Sequence, residues 1–186
     1  MIGCIVQARM GSTRLPGKVM MKIDQNNTVL DFVINQLKSS KLIDKIILAT
    51  TTHTQDDIIE NFGSALGIDV FRGESLDVLD RYYKCAKEFH IDNIVRITSD
   101  CPLIDPNMVD DVIEKYEEEN LDYATNTLIR TFPVGTDVEI FSFTTLEKTW
   151  KNAKLPSERE HVTPFIRNKK MDFRIGNLQS TENYSD

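Results

Sequence analysis

Apolar and polar residues fall along this chain in alternating blocks. Ile2-Gly3-Cys4-Ile5-Val6 opens a buried run over residues 2–8 that predicts a strand. Thr28 then caps a stretch in which Leu30, Phe32, Val33, Ile34 and Leu37 recur at helical spacing. Residues 44–51 carry Ile46-Ile47-Leu48-Ala49, a continuous apolar run of the kind buried on both faces of a parallel sheet. Thr54, with Asp57 three residues on, predicts a helix start running to Leu66 and stopped by Gly67. Residues 68–72 predict a third strand, Ser75 the cap of a helix to about residue 90, and residues 93–98 a fourth strand. Asp105-Pro106 reads as a cap with proline at the first helical position, opening a helix that ends in the acidic run Glu117-Glu118-Glu119. Repeated strand-helix-strand units predict an α/β fold, a mostly parallel sheet with helices on both sides. After Asn126 the rhythm breaks: residues 122–126 and 137–143 read as strands separated by an irregular stretch with Pro133 and Gly135. No repeat, low-complexity tract or linker divides the 186 residues, so one domain over residues 1–186 is expected.

Composition narrows the class. At 40% hydrophobic and 27% charged residues the chain can bury a sizeable core. It has no apolar run of the ~20 residues a bilayer demands, so no membrane insertion is expected. Its N-terminus lacks the charged and long apolar regions of a signal peptide. Cys4, Cys85 and Cys101 are odd in number and lack CxxC spacing, which argues against a disulfide framework and a zinc site. A reducing cytoplasm is the expected compartment. A net charge of -7 disfavours nucleic acid as a partner.

Against that acidic background the first 23 residues hold four basic residues and no acid. Ala8-Arg9-Met10-Gly11-Ser12-Thr13-Arg14-Leu15-Pro16-Gly17-Lys18 follows the first predicted strand directly, where open α/β sheets bind ligands. Gly11 and Gly17 let peptide N–H groups turn toward phosphate oxygens. Arg9 and Arg14 can grip oxygens bidentately, and Lys18 adds a point charge. The loop is neither a Walker A motif nor GxGxxG, and a solvated basic turn is the bland alternative.

Thr98-Ser99-Asp100-Cys101-Pro102 follows the fourth predicted strand and should reach the same sheet edge. Asp100 could hold Mg²⁺ together with phosphate oxygens, although a Ser-Asp turn is also a common cap. Gly135-Thr136-Asp137-Val138-Glu139 puts Asp137 and Glu139 on one face of a strand, as acceptor contacts or as a solvated edge. Ser157-Glu158-Arg159-Glu160 reads as a capping box leading into His161. His53 and His90 lack any comparable context.

Residues 6–18, Val-Gln-Ala-Arg-Met-Gly-Ser-Thr-Arg-Leu-Pro-Gly-Lys, resemble the opening signature of the cytidylyltransferases that activate acidic sugars, the CMP-KDO and CMP-sialic acid synthetases. They are more similar still to the spore coat polysaccharide biosynthesis protein F branch. Arg-Ile-Thr-Ser-Asp-Cys-Pro-Leu-Ile-Asp-Pro (96–106), Gly-Thr-Asp-Val-Glu-Ile-Phe-Ser (135–142) and Arg-Glu-His-Val-Thr-Pro (159–164) also have counterparts there, in the same order.

The resemblance implies a nucleotide-diphospho-sugar transferase fold, Rossmann-like and GT-A-like, with an inserted excursion that often makes a homodimer contact. It implies CTP and a sugar acceptor as partners, Mg²⁺ as cofactor, and transfer of CMP to an acidic or otherwise modified sugar with release of pyrophosphate. Arg9, Arg14, Lys18 and Asp100 would carry the chemistry, with Asp100 on the metal. Ala8, Gly11, Ser12 and Thr13, with Thr50, Thr51, Gly73, Glu74 and Arg81, would line the nucleotide. Asp137, Glu139, Arg159, Glu160 and His161 would face the acceptor. Family members usually continue into an acidic motif with a second metal carboxylate, expected just where this sequence stops; activity without it is in question. A glycosyltransferase of the same fold and an inactive nucleotide-binding subunit are the alternatives.

Overall fold

A computed structural model describes residues 1–12, 15–168 and 171–185. In chain order the elements are β1 (Ile2–Gln7), α1 (Val29–Leu37), β2 (Lys45–Thr51), α2 (Asp57–Ala65), β3 (Asp69–Gly73), α3 (Val78–Glu88) and β4 (Asn93–Thr98). There follow α4 (Pro106–Glu118), β5 (Tyr123–Thr125), β6 (Glu139–Ser142), α5 (Phe143–Asn152), α6 (Pro156–His161), α7 (Pro164–Arg167) and β7 (Ile175–Asn177). The strands form one seven-stranded sheet in the order β3-β2-β1-β4-β6-β5-β7.

Pairs β3–β2, β2–β1 and β1–β4 are parallel, as the apolar runs predict. β6 lies antiparallel to both β4 and β5, and β7 returns parallel to β5. The sheet is therefore mixed at this end, where the alternation of the sequence lapses. One face packs Leu30, Val33, Ile34 and Leu37 of α1, Ile59 of α2 and Val109, Val112 and Ile113 of α4 on Cys4, Val6 and Leu48. The other packs Leu79, Tyr82 and Ala86 of α3, Leu146 of α5 and Phe165 and Ile166 of α7 on Ile5, Ile47 and Ile94.

Several boundaries differ from the pattern reading. A 3-10 turn over Thr54–Asp56 precedes α2, so Thr54 does not cap it. The cap of α3 is Asp77, whose carboxylate accepts from Asp80 N at 2.9 Å; Ser75 lies outside the helix. At α6 the chain enters the helix at Leu155 with Pro156 in the first turn, and Glu158 accepts from Lys154 N and Leu155 N, each at 3.1 Å. Ser157 and Glu160 thus form no capping box; Glu158 does that work. Thr28 caps α1 as expected, reciprocally with Asp31.

Candidate active site

Strand order reverses beside β1: β2 lies to one side and β4 to the other, so loops leaving the carboxyl ends of β1 and β4 diverge around a crevice. A cleft of about 340 Å³ occupies that crevice, lined among others by Ala8, Arg9, Ser12, Lys18, Arg81, Ser99, Asp100 and Glu160. The loop after β1 is pinned at both ends. Met10 N donates to Asp56 Oδ1 at 2.7 Å, and Met10 O accepts from Ser12 N at 2.9 Å and Gly17 N at 2.8 Å. Gly17 has φ 72°, which sends the chain into the 3-10 turn that carries Lys18. Asp56 is fully buried and also accepts from the Thr51 hydroxyl, so a carboxylate beneath the loop fixes its start.

Lys18 Nζ meets Asp100 Oδ2 across the cleft at 2.5 Å. Burial alone would raise the Asp100 carboxyl, but hydrogen bonds from Lys18 and Thr98 hold it below the ordinary carboxylate range. Arg81 projects from α3 and is only 1% exposed, yet its Nε and Nη1 have no hydrogen-bond partner. Burial lowers its pKa, and the charge of Arg9 adds to the effect. A Cβ at Gly73 would lie 3.1 Å from Arg81 Cγ and 2.8 Å from Phe71 Cε1, so only glycine leaves this arginine its place. Thr50 Oγ1 is a further buried polar atom without a partner. Unpaired buried donors of this kind are rare, because each loses its water for nothing, and those of Arg81 lie at a cationic cleft.

A second cavity of about 250 Å³ adjoins the first, lined by Arg96, Thr98, Thr127, Asp137, Glu139, His161, Thr163, Pro164 and Arg167. Arg96, Thr98 and His161 line both. Its floor is an ion pair between Arg96 and Glu139, whose side chains are 14% and 6% exposed. Glu139 Oε1 also accepts from Tyr123 Oη at 2.5 Å and Thr163 Oγ1 at 2.7 Å. Asp137 is held by both terminal nitrogens of Arg130, at 2.7 and 3.0 Å.

A family model described as cytidylyltransferase matches residues 3–185. The chain belongs to the cytidylyltransferase family. It is 34% identical over 185 residues to the spore coat polysaccharide biosynthesis protein SpsF of Bacillus subtilis, covering 97% of this chain and 75% of that one. Among solved structures, a cytidylyltransferase from Leptospira borgpetersenii superposes with a TM-score of 0.93 at 38% identity, covering 99% of this chain and 78% of that one. CMP:2-keto-3-deoxy-manno-octonic acid synthetase, solved with CTP, superposes at 0.71 with 16% identity, covering 96% and 90%, and shows the shared nucleotide-diphospho-sugar transferase fold. Cytidylyltransferases are CTP-dependent nucleotidyltransferases, and that class extends to this chain.

The cytidylyltransferase fold brings Ala8, Arg9, Ser12, Lys18, Arg81 and Asp100 together in one cleft; Thr13 and Arg14 lie outside the described residues. Gly11 sits at the loop's outer edge beside Gln55, and Glu74 is exposed and accepts from Ser75 N. Thr51 is buried with its hydroxyl committed to Asp56.

The expected acceptor group divides. Asp137 lines the second cavity and His161 both, whereas Glu160 lines the first cleft. Arg159 turns away to clasp Asp77 through Nε and Nη2 and the Trp150 carbonyl through Nη1, tying α6 to the start of α3. Glu139 has both oxygens engaged by protein donors. Residue pattern alone misses Arg96, Arg167 and Asp56. Arg96 interrupts the apolar stretch Ile94-Val95-Ile97 of β4 and opens the motif over 96–106, the signals that could have marked it.

The donor set fits Mg²⁺ in a limited way. Asp100 supplies a hard oxygen, but among the described residues no three acidic, histidine or cysteine side chains converge as a metal cage. Magnesium typically uses one or two carboxylates plus substrate phosphates, which this cleft can provide only with a polyphosphate present. No helix among the described residues is long and apolar enough to cross a membrane.

Proposed function

We propose that this cytidylyltransferase binds CTP in the cleft between β1 and β4 and transfers CMP to an acidic sugar held in the adjoining cavity. The carrying observation is that two cavities of unlike character meet at Arg96, Thr98 and His161. The larger gathers Arg9, Lys18 and Arg81 for a triphosphate, with Arg14, Thr13 and the Gly11–Ser12 backbone completing the loop. Arg81, buried with Nε and Nη1 unmatched, awaits acceptor groups of a ligand that excludes water. The smaller cavity has its carboxylates matched, Glu139 by Arg96 and Asp137 by Arg130, which leaves the side chains of Arg167 and His161 to meet an anionic acceptor.

An acceptor hydroxyl would attack the α-phosphorus, forming the new P–O bond as the bond to the β-phosphate oxygen breaks. The hydroxyl proton passes to water as pyrophosphate departs, its charge offset by Arg9, Arg14 and Lys18. Positioning and fixed charge supply the rate, by analogy with phosphoryl transfer, so no protein nucleophile is required. Asp100 would hold Mg²⁺, which offsets phosphate charge when bound. A role in surface polysaccharide or glycan synthesis and a homodimer follow the family resemblance.

Pyrophosphate release measured across CTP, UTP, ATP and GTP, with a panel of carboxylated and neutral sugars, tests this reading. CTP with a carboxylated sugar should give pyrophosphate, and thermal stabilisation by CTP should exceed that by the other nucleotides. Equal shifts for all four would remove the base assignment. Turnover with neutral sugars alone would remove the acidic acceptor.

A further inference from the structure

Lys18 and Asp100 come from loops 82 residues apart and face each other across the nucleotide cleft, Nζ to Oδ2 at 2.5 Å. In the reading above each has a separate task, Lys18 on phosphate and Asp100 on the metal, and neither can perform it while bound to the other. The pairing is not a loose surface contact. Gly17, in the left-handed conformation, sets Lys18 at the start of a short 3-10 turn, and Ser99 N donates to Gln7 O at 3.2 Å, fixing the turn that holds Asp100. The side chains are 31% and 42% exposed, so each can swing toward a ligand.

We propose that the Lys18–Asp100 pair is a latch that makes nucleotide binding the condition for metal binding. Without nucleotide the only carboxylate besides Asp100 that lines the cleft is Glu160, among the described residues, and no cage of three ligands forms there. A divalent ion arriving alone meets a carboxylate already neutralised by an ammonium group. A triphosphate changes both partners at once: its oxygens draw Lys18 Nζ away, and those same oxygens complete a metal site with the released Asp100 carboxylate. The exchange is favourable because Lys18 keeps an anionic partner throughout while the metal gains oxygen ligands. Coupling of this kind is reciprocal, so metal raises nucleotide affinity by the factor by which nucleotide raises metal affinity. This inference rests on the cleft being the nucleotide site.

Mn²⁺ serves as the probe, with free ion measured by electron paramagnetic resonance on the full chain without nucleotide. Lys18→Gln and Lys18→Met should bind Mn²⁺ roughly tenfold more tightly than wild type, the worth of one charge-assisted contact to Asp100. Lys18→Arg, which preserves the pair, should not. Arg9→Gln removes another cation of the same cleft that does not touch Asp100, and should change Mn²⁺ binding little. Adding Asp100→Asn to Lys18→Gln should abolish the gain. Equal gains in Lys18→Gln and Arg9→Gln would reduce the effect to general electrostatics and overturn the latch, as would no gain in either Lys18 variant. CTP titration by calorimetry in chelator addresses the underlying reading separately: a wild-type chain that ignores CTP removes the nucleotide site, whatever Mn²⁺ does.

Discussion

Arg81→Met should stabilise the protein and weaken its hold on CTP. Arg81 is 1% exposed, and its Nε and Nη1 lie buried without acceptors. A buried donor left unmatched costs about 1–3 kcal/mol, and the guanidinium carries two. Methionine keeps Cβ and Cγ and follows the arginine path as far as Nε, while removing the donors and the charge. Part of the relief is lost to imperfect filling, leaving an expected gain of about 1–3 kcal/mol. For a chain of this size that corresponds to a rise in Tm of roughly 2–12 °C. The opposite effect is expected on ligand binding: loss of a charge-assisted contact to nucleotide should raise the CTP Kd about tenfold or more. Differential scanning calorimetry without nucleotide and a CTP titration of the same samples read the two halves. A fall in Tm with unchanged CTP affinity would refute both, by showing that the guanidinium has a partner in the folded protein and does not face nucleotide.

The Arg96–Glu139 pair should behave as a buried anchor. Arg96→Met alone leaves Glu139 charged and 6% exposed, which should lower urea stability by about 3–5 kcal/mol, while Arg96→Met with Glu139→Leu should recover most of it; additive losses in the double variant would contradict a coupled pair. Arg167 lines the second cavity and not the first, so Arg167→Ala should raise the KM for the acidic sugar roughly tenfold with the CTP Kd unchanged; an altered CTP Kd alone would put it on the wrong side. Gly63→Ala would set a Cβ 2.4 Å from Val70 Cγ2 and 3.1 Å from Leu48 Cδ1, and should cost about 1–3 kcal/mol despite alanine's better helix propensity, as read from the urea midpoint. Asp122 is held below its ordinary range chiefly by the Arg174 side chain, so the pair stabilises above the unfolded carboxylate pKa and that contribution is lost as pH falls through the lower folded value. Wild type and Asp122→Asn should therefore differ in urea midpoint at neutral pH and converge in acid; a constant gap would reject the linkage.

β1 and β2 were legible because each carries a continuous apolar run, as strands buried on both faces do, while β3 and β4, interrupted by Arg72 and Arg96, were legible as shorter apolar stretches between helices. Polar loops following two such runs fall at one edge of the sheet, since right-handed parallel crossovers leave all those ends on the same side. The cationic loop and Asp100 belonged to that inference. Past β4 the strands expected at 122–126 and 137–143 lie where β5 and β6 are found, but their pairing and the whole of β7 were not legible, for a physical reason. β5, β6 and β7 are three or four residues long, too short to display a period, and the antiparallel course of β6 depends on its pairing with β4 and β5. Charged side chains were harder still, because a sequence does not say whether a carboxylate meets solvent, a ligand or an arginine. Glu139 and Arg159 looked available and are bound to protein groups. Arg81 was placed at the nucleotide by resemblance alone, and it is buried against the cleft with Nε and Nη1 unpartnered. Local pattern thus determined the parallel strands and the edge where chemistry could gather. Only tertiary packing decided which charges neutralise one another there and which remain for a substrate, because that balance depends on distances between segments far apart in the chain.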